Sequence, residues 1–148
     1  MDRDARGCHV GAAPTSLRLA HDGAALLVAF RTLDFWATPL SAGETWGVDD
    51  GIRFTLAGHA FEVYFSGNVY AVDAEGRRTP LAGAYNAADA RGGMARSRIV
   101  ECRIPVAALG IAPAKGARIA FSACRWSAHY REVRHYAAPG ETAELVLE

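Results

Sequence analysis

Two of the three tryptophans, Trp46 and Trp126, stand outside any regular alternation and beside residues able to exchange hydrogen bonds. An indole face suits the apolar C–H face of a sugar ring, and a pair of indoles can clamp a pyranose between them. Arg125, Asn86 and Arg53 would add donors and acceptors for the hydroxyls around such a ring. The competing reading makes both tryptophans caps on a hydrophobic core, because tryptophan is highly buried on average. Trp36, next to Phe35, is expected to pin its own loop.

Other chemistry is sparser. Glu101 and Arg125 are expected at one level of adjacent strands, either as a bridge that fixes register or with Arg125 turned to a ligand. Asp34, Glu44, Asp49 and Asp50 crowd one loop, where Asp34, Asp49 and Asp50 could hold a structural calcium ion through carboxylate oxygens. The same acids could equally be a solvated loop surface. A glycosidase needs two carboxyl groups facing each other across a cleft, one dry and one wet, and no pattern here implies that contrast. The histidines at 9, 21, 59, 129 and 135 match no metal-ligand spacing. No nucleophile elbow, phosphate loop or dinucleotide fingerprint occurs. An enzyme is therefore not the expected class.

The bulk numbers agree with a binding domain. A chain of 148 residues with 51% hydrophobic and 22% charged residues makes one ordinary globular domain over 1–148. Sixteen basic residues balance sixteen acidic ones, so there is no electrostatic footprint for nucleic acid. Cys8, Cys102 and Cys124 form no paired motif, and Cys102 and Cys124 would bridge only if their strands were neighbours. No apolar run reaches the ~20 residues of a membrane span, and the start Met1-Asp2-Arg3-Asp4 is not a signal peptide. The compartment stays open.

The elements that must position these residues are short strands. Residues 1–15 read as a loose lead-in. From Ser16 onward, apolar and polar residues alternate in short runs broken by turn signals. His21-Asp22-Gly23 marks one hairpin, Gly58-His59 a second, and Gly67-Asn68 a further bend. Irregular stretches are expected at 34–50 and at 82–96. Pro105 cannot donate to a ladder, so a strand must stop there. Val106 to Leu109 has room for a single helical turn, and Gly110 reverses the chain. About nine strands with tight connections give an all-β, antiparallel two-sheet β-sandwich, jelly-roll-like, with one short helical turn.

The order of these elements resembles the family 9 carbohydrate-binding modules and the wider DOMON-like superfamily. The likeness runs from Asp22-Gly23 through Leu26, Phe30 and Asp34, to Trp46–Asp50, to the aromatic strand Phe61–Tyr70, and to Glu101-x-x-Ile104-Pro105-x-x-x-Leu109-Gly110 with a strand ending in Arg125. It covers about 16–148. The family usually begins with one more strand, and it often carries an acidic residue where this chain has Arg53. The resemblance implies a non-catalytic domain that takes a mono- or oligosaccharide at one rim, accessory to a parent or partner glycoside hydrolase, in proteins that are often secreted. It permits a structural cation and implies no other cofactor on the carbohydrate-binding side. Its DOMON side implies a second reading, a haem-binding electron-transfer domain, for which Met94 with His129 or His135 is the available ligand set. A third reading is a structural or interaction sandwich.

Overall fold

In Ile52-Arg53-Phe54-Thr55-Leu56 the apolar residues recur every second position, and a strand places such residues on one face. The structure bears this out: Ile52, Phe54 and Leu56 are at most 2% exposed, while Arg53 faces solvent. The computed structural model describes residues 3–4, 15–34, 41, 43–81, 85–92, 95–111, 114–128, 131–135 and 143–146.

Among these residues the chain forms twelve strands and one 3-10 turn. In order they are β1 (Arg3–Asp4), β2 (Thr15–His21), β3 (Ala25–Asp34), β4 (Gly51–Leu56), β5 (His59–Tyr64) and β6 (Val69–Val72). The rest are β7 (Arg78–Pro80), β8 (Tyr85–Gly92), β9 (Ala95–Pro105), β10 (Arg118–Ser127), β11 (Glu132–His135) and β12 (Ala143–Val146). They make two antiparallel sheets. A four-stranded sheet runs β2-β3-β9-β8, and an eight-stranded one runs β1-β11-β10-β4-β5-β6-β7 with β12 also paired to β10. No helix among the described residues is long and apolar enough to cross a membrane.

The two inner faces meet in one core. Leu26, Val28, Phe30, Val100, Cys102 and Ile104 come from the four-stranded sheet, and Ile52, Phe54, Phe61, Val63, Ile119 and Phe121 oppose them. Phe54 ties the layers together. Its ring lies 5.5 Å from Phe30 across the gap and 5.0 Å and 6.3 Å from Phe61 and Phe121 in its own sheet. Emptying such a site costs about 3–5 kcal/mol.

Several expectations need correction. The stretch 82–96, expected to be irregular, contains β8, whose ladder with β9 slips between Ala87 and Asp89. β7 ends in Pro80 and is the last strand of its sheet, where a missing N–H costs no ladder bond. The lead-in is not wholly loose, because Arg3–Asp4 pairs with β11. The second hairpin turns at Ala57-Gly58, both with positive φ, rather than at Gly58-His59. Glu101 and Arg125 are not on adjacent strands: β9 and β10 belong to different sheets, so no bridge fixes register there. For the same reason Cys102 and Cys124 are free thiols.

The helical turn forms where Pro105 and Gly110 imply it. β9 stops at Pro105, Val106–Ala108 makes the 3-10 turn, and Gly110 reverses the chain at φ 61°.

Candidate functional site

Parity along a strand assigns faces, and it separates Arg125 from Trp126. Ile119, Phe121, Ala123 and Arg125 share the inward parity of β10, while Ser122, Cys124 and Trp126 lie on its outward side. On β4 the outward side carries Arg53 and Thr55, and the β4–β5 register sets Arg53 opposite Glu62. Cys124, Arg53, Glu62 and Tyr70 thus form one row across four strands. The next row is Trp126, Gly51 and Tyr64.

Gly51 permits a close approach. A Cβ there would sit 3.3 Å from two carbons of the Tyr64 ring, which is fully buried. Glycine lets that ring lie beside Trp126's strand without the shift of a few tenths of an ångström that a Cβ would force.

Glu62 organises the middle of this face. It is 3% exposed although it points away from the core. Its Oε1 accepts from Arg53 Nε at 2.7 Å, with Arg53 Nη2 2.5 Å away. Its Oε2 accepts from the Tyr64 hydroxyl at 2.7 Å, and Arg78 Nη1 stands 3.7 Å off. Burial, and then the hold of the Glu62 carboxylate on its proton, push the Tyr64 phenol up to about 12. The Arg53 guanidinium lies over the Trp46 ring, 4.2 Å from its centroid. That contact is a cation–π stack.

The loop that carries Trp46 is tied down at both ends. Glu44 accepts from Ser66 Oγ at 2.6 Å, Asn68 Nδ2 at 2.5 Å and the Tyr70 hydroxyl at 2.5 Å. These bonds, the one from Ser66 foremost, hold its carboxyl below the usual range. Arg78 Nη1 donates to the Glu44 carbonyl at 2.7 Å. At the far end Asp49 accepts from Ser41 Oγ and from the Thr45 N–H at 2.9 Å, the Ser41 bond chiefly lowering its pKa. A Cβ on Gly43 would overlap the Asp49 carboxylate as it is held here, so a side chain there would displace that carboxylate from its present bonds.

The sequence candidates therefore divide. Trp46, Arg53 and Trp126 come to the outward face of the eight-stranded sheet; Trp46 and Trp126 are partly exposed. This is an open sheet face rather than the strand-end rim expected, and Trp126 lies within β10 rather than beyond it. Trp126 Nε1 is shielded and has no hydrogen-bond partner among the described residues. Arg125 is 1% exposed and points inward, so it cannot meet a ligand on this face. Asn86 belongs to β8 in the other sheet, paired with Val100. Asp49 and Asp50 spend their oxygens on N–H and O–H donors of the chain, and Asp34 ends β3. Among the described residues no cluster of three or more His, Cys, Asp or Glu could hold a metal ion. Met94, His129 and Trp36 lie outside the described residues, as does the side chain of His135.

Sequence reasoning missed Glu62, Tyr64, Tyr70 and Arg78. The available signal was an acid between apolar neighbours in Phe61-Glu62-Val63, opposite an arginine once the hairpin register is known.

No protein-family model matches the chain, and no curated protein matches it. Solved structures do. A Bacteroides uniformis protein described as carbohydrate-binding aligns over 92% of this chain and 79% of its own, with TM-score 0.57 and 16% identity. A family 9 carbohydrate-binding module from Caldicellulosiruptor kristjanssonii, solved with cellotriose, aligns over 95% and 77%, with TM-score 0.56 and 20% identity. A family 9 module from the same organism, solved with glucose, aligns over 100% and 84%, with TM-score 0.54 and 16% identity. The fold is thus one that carbohydrate-binding proteins, family 9 modules among them, also adopt. The DOMON-like half of the resemblance finds no support in these matches.

Proposed function

We propose that this chain is a non-catalytic carbohydrate-binding domain that takes a mono- or oligosaccharide on the outward face of its eight-stranded sheet. The observation that carries the reading is the gathering of Trp46, Arg53 and Trp126 on one solvent-facing surface. Aromatic faces would hold the C–H side of a pyranose, and the half-exposed guanidinium of Arg53 would meet its hydroxyls. The fold supports the reading, since modules of this shape have been solved with cellotriose and glucose. A catalytic role has less support. The carboxylates beside these aromatic rings, Glu44 and Glu62, are each engaged by several donors of the chain itself. Carboxylates held in this way favour a structural role over protonating a leaving group or attacking a sugar. In this reading the domain serves a glycan-degrading enzyme by holding it near its substrate, as a covalent neighbour or a partner.

The test is calorimetric titration with glucose, cellobiose, cellotriose and xylotriose, with tryptophan emission followed in parallel. Binding should appear for at least one sugar, and Trp46→Ala and Trp126→Ala should each weaken it by about 2 kcal/mol or more, as for buried aromatic anchors. No heat and no emission change across the panel at millimolar sugar would overturn the assignment.

A further inference from the structure

We propose that Glu62 is the positioning residue of this face, acting through Arg53 to set the orientation of the Trp46 ring; the proposal rests on the sugar-binding reading. Trp46 arrives on a loop, and a ring on a loop is a loose platform unless something fixes its tilt. The surface it lies on is the Arg53 guanidinium, 4.2 Å from the ring centroid. Arg53 is itself a long side chain, 46% exposed, that would sample many rotamers if left alone. Its plane is set by Glu62, through contacts at 2.7 Å from Nε and 2.5 Å from Nη2 to the same oxygen.

Glu62 cannot turn away from this task. The other carboxylate oxygen accepts from the buried Tyr64 hydroxyl at 2.7 Å, with Arg78 3.7 Å off on the same side. The ladder places Glu62 directly opposite Arg53 and next to Tyr70. Rigidity therefore passes outward in steps: from the sheet to an enclosed carboxylate, to a half-exposed guanidinium, to an indole at the surface. A ligand stacking on that indole would meet a ring already ordered and would lose less freedom on binding. Glu62 touches no ligand in this arrangement.

The test reads the ring directly. In a Trp36→Phe/Trp126→Phe background Trp46 is the only indole, so its emission anisotropy and acrylamide quenching report its own mobility. Glu62→Gln removes the charge that grips Arg53. Arg53→Lys keeps a charge for Glu62 but loses the flat surface, and its half-exposed site makes misfolding a small risk. Both variants should show lower anisotropy and stronger quenching of Trp46. In the protein with all its tryptophans, Glu62→Gln should bind cellotriose or glucose about tenfold more weakly, with most of its melting temperature retained. Unchanged anisotropy and quenching in both variants would overturn the proposal, and so would loosening of Trp46 with undiminished affinity in a protein that binds sugar. If the ring loosens as expected while the parent protein binds none of the sugars, the positioning stands and the sugar reading falls.

Discussion

Arg125 and Asp50 meet inside the molecule, with Nη2 3.9 Å from Oδ1 and the two side chains 1% and 3% exposed. Asp50 also accepts from the Ser41 N–H at 3.0 Å and the Ala128 N–H at 3.2 Å. One carboxylate thus joins the Trp46 loop, the end of β10 and an enclosed cation. Losing it takes a counter-charge from a guanidinium that water does not reach, and such losses are severe. Asp50→Ala is expected to lower stability by about 3 kcal/mol or more. Urea denaturation should show a lower midpoint with an unchanged slope, and a wild-type midpoint would refute the assignment.

Ala57 offers the opposite kind of change. It is a non-glycine residue at φ 51° in the two-residue turn between β4 and β5, next to Gly58 at φ 82°. Asn-Gly suits this double-positive turn better than Ala-Gly does. Ala57→Asn should stabilise the fold by roughly 0.5–1 kcal/mol, since the left-handed region costs an alanine about 1–2 kcal/mol. Thermal unfolding checks this, and a lowered melting temperature would mean that Ala57's packing matters more than its backbone strain.

The Tyr64 phenol sets an alkaline limit. Its folded pKa of about 12 lies above the ordinary 10, so the neutral form is favoured by folding. The stabilisation is complete below pH 10 and fades as pH climbs toward about 12. Absorbance at 295 nm should show a late-ionising phase to which Tyr64 contributes, alongside Tyr70, whose phenol the hydrogen bond to Glu44 also raises, and Tyr64→Phe should shrink that phase. A titration with all tyrosines ionising together near pH 10 would contradict the buried hydroxyl.

Trp126 carries a shielded indole N–H with no partner among the described residues, a condition that costs about 1–3 kcal/mol. Trp126→Phe sheds that cost while losing part of a ring's packing, and the two effects oppose each other. The variant should unfold within about 1 kcal/mol of wild type, whereas Trp126→Ala should lose more. Paired denaturation curves decide it, and equal losses for Phe and Ala would show that the unpaired donor carries no weight.

Much of this was legible in the chain, and the failures have physical causes. Alternation drew β3, β4 and β10 because each buries chiefly one face, whereas β5 also encloses its outward Glu62 and Tyr64. Pro105 announced its own strand end. The stretch Ala87-Ala88-Asp89-Ala90 has neither β-branched residues nor clean alternation, so β8 left no signal; its partner β9 supplies the order. The Arg53–Glu62 pair was lost to a one-residue error in the turn. A turn at Gly58-His59 would set Arg53 opposite Tyr64, whereas Ala57-Gly58 sets it opposite Glu62. Arg125 shares the parity of Phe121 and Ala123, which already pointed it inward. Its charge argued the other way, and a partner that helps its burial lies far back in the sequence at Asp50.

The ladder from Ala25↔Pro105 to Asp34↔Arg96 has a consequence for biosynthesis. Leu26, Val28 and Phe30 emerge from the ribosome long before Val100, Cys102 and Ile104, the residues they must lie against. Until then the nascent chain carries a greasy ribbon whose matching half has yet to be translated, and contacts so distant in sequence close slowly. That ribbon is where a holding chaperone would grip, and where crowded expression would first drive the chain into inclusion bodies.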